Sequence, residues 1–264
     1  MTGRQDLAWS RLASKWDTSG AAWNEPVAER LIELTGLKPG MVTADMGCGA
    51  GAVTIPAARI VDPAPVTGID SSAAMVARAI EKAKDGEISN VRFRHEDATH
   101  PDLEPQAFDA VLASMVVTYF SDPATALHAW CQLLRPRGIL GFSWVLAEDK
   151  EWGSAYHGVD AFLLPEDRWS TVKRNWTVAE AEESLPPGMT VSTFTEGIVT
   201  RYQDLEHWWL SSWTQAPAIA WSHIPSEYHE IAKQAAFTEL RGLQHKDGSL
   251  ERTRTVCYTI ARNE

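Results

Sequence analysis

Three cysteines in 264 residues, Cys48, Cys131 and Cys257, are too few and too scattered for a disulfide framework or a zinc site. They point to a reducing compartment. No run approaches the roughly 18 apolar residues of a membrane-spanning helix. The opening Met-Thr-Gly-Arg-Gln-Asp lacks the apolar core of a signal peptide, so the cytoplasm is the expected location and no membrane partner is expected. Positive charge is also scarce: 24 Lys and Arg against 35 Asp and Glu give a formal net charge of −11. No basic cluster offsets it, which excludes a nucleic-acid partner, since a phosphate backbone calls for a basic footprint. Internal repeats and low-complexity tracts are absent as well.

What is present is an ordinary globular composition, 44% hydrophobic and 22% charged, long enough for one α/β domain with a sizeable insertion. Tryptophan is the outlier at twelve residues. Indoles bury large areas, so packing explains many of them. Their grouping at Trp9, Trp16 and Trp23, at Trp144 and Trp152, and at Trp208, Trp209, Trp213 and Trp221 also suits the wall of an apolar or aromatic ligand site.

The most informative segment is Val42-Thr-Ala-Asp-Met-Gly-Cys-Gly-Ala-Gly51. A short apolar run closes on Asp45, and glycines then alternate at 47, 49 and 51. Without a Cβ, such a loop lets a ligand lie against the backbone. A helix is expected over 52–60, and strand, glycine turn and helix together suit a nucleoside-bearing ligand. Further strands are expected at 66–69, 91–95, 108–114 and 139–145, with helices between them, the pattern of a doubly wound parallel sheet. Upstream, 5–18 reads as a helix with Leu7, Trp9, Leu12 and Trp16 on one face, and Asn24-Glu25-Pro26 reads as the start of a second. Arg135-Pro136-Arg137-Gly138 reads as a turn before strand five. Helices are expected near 153–163 and 177–184.

Gly47-x-Gly49-x-x-Ala52 also satisfies a loose dinucleotide fingerprint, with Asp70 as its ribose acid. Against that reading, some 40 residues precede strand one, acids close strands one and three as well (Asp45, Asp97), and the chain ends in an expected β-hairpin. The glycine segment resembles motif I of the class I S-adenosylmethionine-dependent methyltransferases. Val66-Thr-Gly-Ile-Asp70-Ser-Ser, with Met75, resembles their second motif, and His95-Glu-Asp97-Ala98 their third. Phe108-Asp-Ala-Val-Leu-Ala-Ser114 and Leu133-Leu-Arg-Pro136-x-Gly138 resemble the fourth and fifth. Closest in character are the small-molecule enzymes of ubiquinone and menaquinone biosynthesis and their secondary-metabolism relatives.

The resemblance implies a Rossmann-like, doubly wound, seven-stranded and mostly parallel sheet. One domain over 1–264 would comprise N-terminal helices (1–40), a cofactor-binding core (41–145), helical lid insertions (146–188 and 203–245) and closing strands (189–201 and 252–262). It implies S-adenosylmethionine as cofactor and S-adenosylhomocysteine as product. Gly47, Cys48 and Gly49 would face the methionine part, with Asp45 near its ammonium. Asp70, beside Ser71, would take the ribose hydroxyls, Met75 would pack on the adenine, and Asp97 and Ala98 would read its edge. Ser114 would line the site below the sulfonium, and Trp16 stands where relatives often carry an aromatic residue closing over the cofactor.

Such enzymes work by in-line displacement in a water-excluded pocket. The expected acceptor is a small, largely apolar or aromatic metabolite, its accepting atom (C, N or O) left open. Trp9, Tyr119, Trp144, Trp152 and Trp208 are the expected acceptor wall, and Tyr119, His157 and His223 the candidates for a catalytic role. No strand end carries the paired acids of the metal-dependent catechol type and the histidines lack ligand spacing, so no metal is expected. A homodimer is compatible with the sequence. Two alternatives stay open: a catalytically inactive cofactor-binding relative, and an NAD-dependent oxidoreductase.

Overall fold

The computed structural model describes residues 13, 16–148, 150–168, 176–215 and 217–263. The expected helix over 5–18, with Trp9, falls largely outside them. Helix α1 (Trp16–Thr35) is longer than Asn24-Glu25-Pro26 suggested, because Pro26 lies inside it and Asn24 is no cap. A proline removes one backbone bond and crowds the turn before it. The burial of Trp23, Val27, Leu31 and Ile32 against the sheet compensates for that loss. Gly36, at φ +67, ends the helix.

Five strands follow in parallel: β1 (Thr43–Met46), β2 (Val66–Asp70), β3 (Val91–His95), β4 (Phe108–Ser114) and β5 (Leu134–Glu148). β1 and β4 are short and almost wholly buried, as strands covered on both faces must be. β5 starts earlier than the sequence suggested. Leu134 already pairs with Phe108, and the next partner pair is Ala110 with Ile139, so the Pro-Arg-Gly turn is a bulge within the strand, with Arg137 at φ 64. Helices α2 (Thr54–Val61), α3 (Ala73–Asp85) and α4 (Pro123–Gln132) make the crossovers.

Two long strands, β6 (Met189–Tyr202) and β7 (Leu250–Asn263), complete a seven-stranded sheet in the order β3-β2-β1-β4-β5-β7-β6. β7 runs antiparallel to both neighbours. The sheet is therefore mostly parallel and doubly wound, as the sequence implied. Strand order reverses between β1 and β4, and such reversals open a crevice at the carboxyl ends of the strands.

β7 meets the end of β5 at Arg254 and Glu148, while its pairing with β6 continues to Leu250 and Tyr202. The β6–β7 ribbon thus projects past the carboxyl edge. At its end are inserted α7 (Leu205–Ser212), α8 (Pro217–Trp221) and α9 (His229–Leu240). These pack with α5 (Lys150–Asp160) around Trp152, Tyr156, Trp208, Trp209 and Trp221 in a core of their own. The short α6 (Val178–Glu183), closed by a Thr177–Glu180 capping box, precedes β6.

Candidate cofactor cleft at the β1–β4 switch point

The glycine loop leaves β1 at the switch point. Gly47, Gly49 and Gly51 all have positive φ, at +72, +51 and +87. They are not equivalent. A Cβ on Gly47 would lie 2.5 Å from Val116 Cγ2, and one on Gly51 2.9 Å from Ile55 Cδ1, so these two glycines let the loop seat against its own fold. A Cβ on Gly49 would meet nothing within 4 Å, so Gly49 borders open space. Four loop N–H groups are used internally. Those of Gly47 and Cys48 donate to Ile69 O, that of Gly51 to Cys48 O, and that of Gly49 to Asp70 Oδ2 at 2.8 Å. A pyrophosphate at this loop would find none of these four donors. The Cys48 thiol is buried, and desolvation, then the charges of Asp45 and Asp70, hold it well above its ordinary pKa; it is no nucleophile.

Asp70 binds the loop to β2. Its Oδ1 accepts from the Ser72 N–H at 2.9 Å while Oδ2 serves Gly49. These two bonds fix the carboxylate at the tip of β2, facing the loop. Ser72 then caps α3 through the Met75 N–H, which fixes Ser71 and Met75 beside Asp70. Met75 is buried against Ala50 of the loop, Ala13 and Ala218, with Trp213 of the insertion alongside.

Asp45 differs. It is 1% exposed, and it accepts the Thr54 hydroxyl at 2.5 Å and the Thr54 backbone N–H at the start of α2. Desolvation raises its pKa to about 7 against these bonds, with the charge of Asp70 adding to the rise. Asp97 is exposed on the turn after β3. Burial alone would raise its pKa, but bonds from the Thr99 N–H and hydroxyl outweigh that and hold it below its ordinary value. Ala98 is buried, its carbonyl fixed by the Trp130 indole N–H at 2.7 Å.

Across the crevice, β4 ends at Ser114, whose hydroxyl meets that of Ser143 at 3.2 Å. Met115 follows at φ 60, with its N–H held by Ser143 O, and Val116 bears on Gly47. A methionine at positive φ is strained, and such strain gathers where a site over-determines the backbone. Tyr119 stands half-buried in the 3-10 turn after β4. His157 is exposed on α5. His223 Nδ1 lies 2.9 Å from Asp167 Oδ1, a pair with side chains 31% and 12% exposed.

The tryptophans call for a correction. Trp144, Trp152 and Trp208 are 0%, 1% and 0% exposed. Trp144 packs on Phe142 and Trp176, and Trp152 and Trp208 pack on each other and on Tyr202 and Tyr156. Their faces are taken by neighbouring rings, so they form cores, not an open acceptor wall. Trp9 and the side chain of Trp16 lie outside the described residues. Thr54, Val116 and Asp167 carry no signal in the sequence, since each acts through a contact made only in the fold, whereas Trp213, one of the grouped tryptophans, packs beside Met75. Among the described residues no three His, Cys, Asp or Glu side chains gather as a metal site requires, and no helix is long and apolar enough to cross a membrane.

Comparison with known proteins agrees with this geometry. Residues 44–142 match a family model described as "Methyltransferase domain". Nocamycin O-methyltransferase of Saccharothrix syringae is 36% identical over 138 residues, covering 52% of this chain and 49% of that protein. Aklanonic acid methyltransferase DauC of Streptomyces sp. (strain C5) is 28% identical over 137 residues, covering 52% of this chain and 62% of that protein. The chain thus spans about half to three-fifths of the length of these curated relatives. The crystal structure of YcgJ from Bacillus subtilis superposes with a TM-score of 0.65 at 16% identity, over 90% of this chain and 98% of that one, which shows a shared fold. Motif order, strand order and these matches support a class I S-adenosylmethionine-dependent methyltransferase domain built around residues 44–142.

Proposed function

We propose that this protein binds S-adenosylmethionine in the β1–β4 crevice and transfers its methyl group to a small, largely apolar or aromatic metabolite. The observation that carries the reading is the Gly49–Asp70 unit. Gly49 borders open space and is tied by its N–H to the carboxylate at the tip of β2, the residue type and place that suit a ribose diol. The cofactor, when bound, supplies an electrophilic methyl group on a sulfonium. Gly47, Cys48 and Gly49 receive its methionine part, with Asp45 close enough to feel the ammonium. Asp70 and Ser71 take the ribose, Met75 packs on the adenine, and Asp97 and the Ala98 backbone read its edge. Ser114 lies below the sulfonium.

The same loop disfavours the oxidoreductase alternative, because the donors a pyrophosphate needs are already bonded. Holding donor and acceptor in line contributes on the order of 7–11 kcal/mol to such a reaction, with no covalent help from the protein. The insertion over α7–α9 acts as the lid that excludes water, and its Trp213 contact beside Met75 is where it meets the cofactor side. Tyr119, beyond the tip of β4, touches the acceptor. If the acceptor must lose a proton, His223 suits the task better than His157, because Asp167 fixes one ring nitrogen and leaves the other to accept.

Calorimetry with S-adenosylmethionine and S-adenosylhomocysteine tests the binding step, and absence of affinity for both overturns the reading. Incubation with methyl-labelled cofactor and cell extract, followed by identification of the labelled product, tests transfer. Tight binding with no transfer to any extracted metabolite would favour the catalytically inactive alternative.

A further inference from the structure

β7 carries two arginines on its inner face, Arg252 and Arg254, which are 3% and 5% exposed. Arg252 is built into the core of the insertion. It donates to the Tyr156 hydroxyl at 2.5 Å and lies over the Trp152 and Tyr156 rings at 5.6 and 5.0 Å. Arg254 is held differently. Its guanidinium sits 4.2 Å from the Trp23 ring and donates one long bond, 3.4 Å, to the Thr200 hydroxyl. Among the described side chains no carboxylate forms an ion pair with it.

A buried guanidinium is costly unless an anion compensates it. One ring face and one long bond to a neutral hydroxyl are poor compensation. The position of this charge is informative. Register sets Arg254 opposite Glu148 at the carboxyl end of β5 and opposite Ile198 of β6. Its ring partner Trp23 belongs to the apolar cluster that contains Val145 and Met115, and Met115 directly follows Ser114 at the tip of β4. Glu148 lies beyond Ser143, the partner of Ser114, so the register puts this cation past the tip of β4 on the side of the insertion, while the chain as a whole carries a net charge of −11. A local cation in an acidic protein selects an anionic ligand that the overall field does not attract.

We propose that Arg254 is the anion-binding residue of the acceptor site, and that the acceptor is an aromatic or apolar molecule carrying a carboxylate or enolate. The proposal rests on the methyltransferase reading for where the acceptor binds. It names a recognition group and leaves open which atom is methylated.

The test uses the full chain saturated with S-adenosylhomocysteine and two probes of one shape, 1-naphthoate and its neutral amide, titrated by calorimetry. The wild type is expected to bind the acid about tenfold or more tightly than the amide, as a charge-assisted contact implies. Arg254→Gln should bring that ratio to about one while leaving affinity for S-adenosylhomocysteine unchanged. Arg254→Lys, which keeps the charge but loses the planar fork, should retain part of it. A ratio near one in the wild type, no naphthoate binding at millimolar concentration, or an undiminished ratio in Arg254→Gln would each overturn the proposal. Should Arg254→Gln lower the melting temperature enough to obscure the comparison, Arg254→Lys decides it, and a ratio identical to wild type there is equally damaging. Failure to bind S-adenosylhomocysteine would instead count against the methyltransferase reading, so the two failures are distinct.

Discussion

Asp45→Asn should make the protein more stable relative to wild type as pH rises, by an amount set by the burial of Asp45. The carboxyl has a folded pKa of about 7 against an ordinary 3.8. A carboxyl whose folded pKa is the higher holds its proton longer in the folded state. Between pH 3.8 and about 7 the native chain therefore binds more protons than the unfolded one, and stability falls as pH rises through that window. Above it the loss is complete and constant; below it there is none. At 1.36 kcal/mol per pH unit, the roughly three-unit shift corresponds to about 4 kcal/mol. Asparagine never ionises and can still accept from Thr54, so it lacks this pH term. Urea unfolding of both proteins from pH 4 to 8 isolates the effect, because all other titrating groups cancel in the difference. The gain of Asp45→Asn over wild type should grow across the window and level off near pH 8. A difference flat to within about 0.5 kcal/mol would show that Asp45 is not held protonated by burial, and would remove the reason to expect it to respond to a nearby ammonium.

Five further outcomes follow from the geometry. S-adenosylmethionine binding at pH 6 to 7 should release up to one proton as its ammonium draws Asp45 toward ionisation, seen as a buffer-dependent calorimetric enthalpy; equal enthalpies in phosphate and Tris would contradict it. Gly47→Ala should lower the unfolding free energy by about 1–3 kcal/mol, since its Cβ would meet Val116 at 2.5 Å at a φ of +72. Gly49→Ala should cost only about 1 kcal/mol, because open space faces it, yet in the methyltransferase reading it should weaken cofactor affinity. Asp70→Asn should weaken cofactor binding by roughly 10- to 100-fold, whereas Asp109→Ala, which loses the Val42 N–H and Arg135 contacts, should lower stability and leave cofactor affinity intact.

Much of the cofactor side was legible because parallel strands with acids at their tips leave short apolar runs punctuated by turn residues. β3 and β4 begin and end where that punctuation falls. Misreadings arose where tertiary packing overrode a local signal. Pro26 reads as a helix start, but Trp23 and Val27 are both buried against the sheet, and that packing carries the helix through it. Pro136 and Gly138 read as a turn that ends before the strand, but the turn is a bulge inside β5. The tryptophans were the hardest to read. Composition shows that they cluster but not which way they face, because Trp152, Trp208 and Trp221 meet only after strands far apart in sequence have paired.

That burial changes what the insertion can do. With its own core of stacked indoles, including Trp209 on Trp221 at 4.8 Å, it does not depend on the cofactor side to hold its shape. Among the described residues the seam around Met75 is thin by contrast: Ala13, Ala50, Ala74 and Ala218, with Trp213 as the one large ring. Alanines bury little area, so at about 25 cal/mol per Å² the seam contributes far less than either core it joins. A unit with its own core, carried on the β6–β7 ribbon and resting on a thin seam at the crevice, opens there before it unfolds. In the methyltransferase reading, that is the property a lid needs if cofactor and product are to exchange while water is kept out during transfer. Trp213→Ala should therefore leave the melting temperature almost unchanged, raise amide exchange in the Ala50 to Met75 region, and speed cofactor dissociation. Equal dissociation rates in variant and wild type would mean that the insertion does not control access to the crevice.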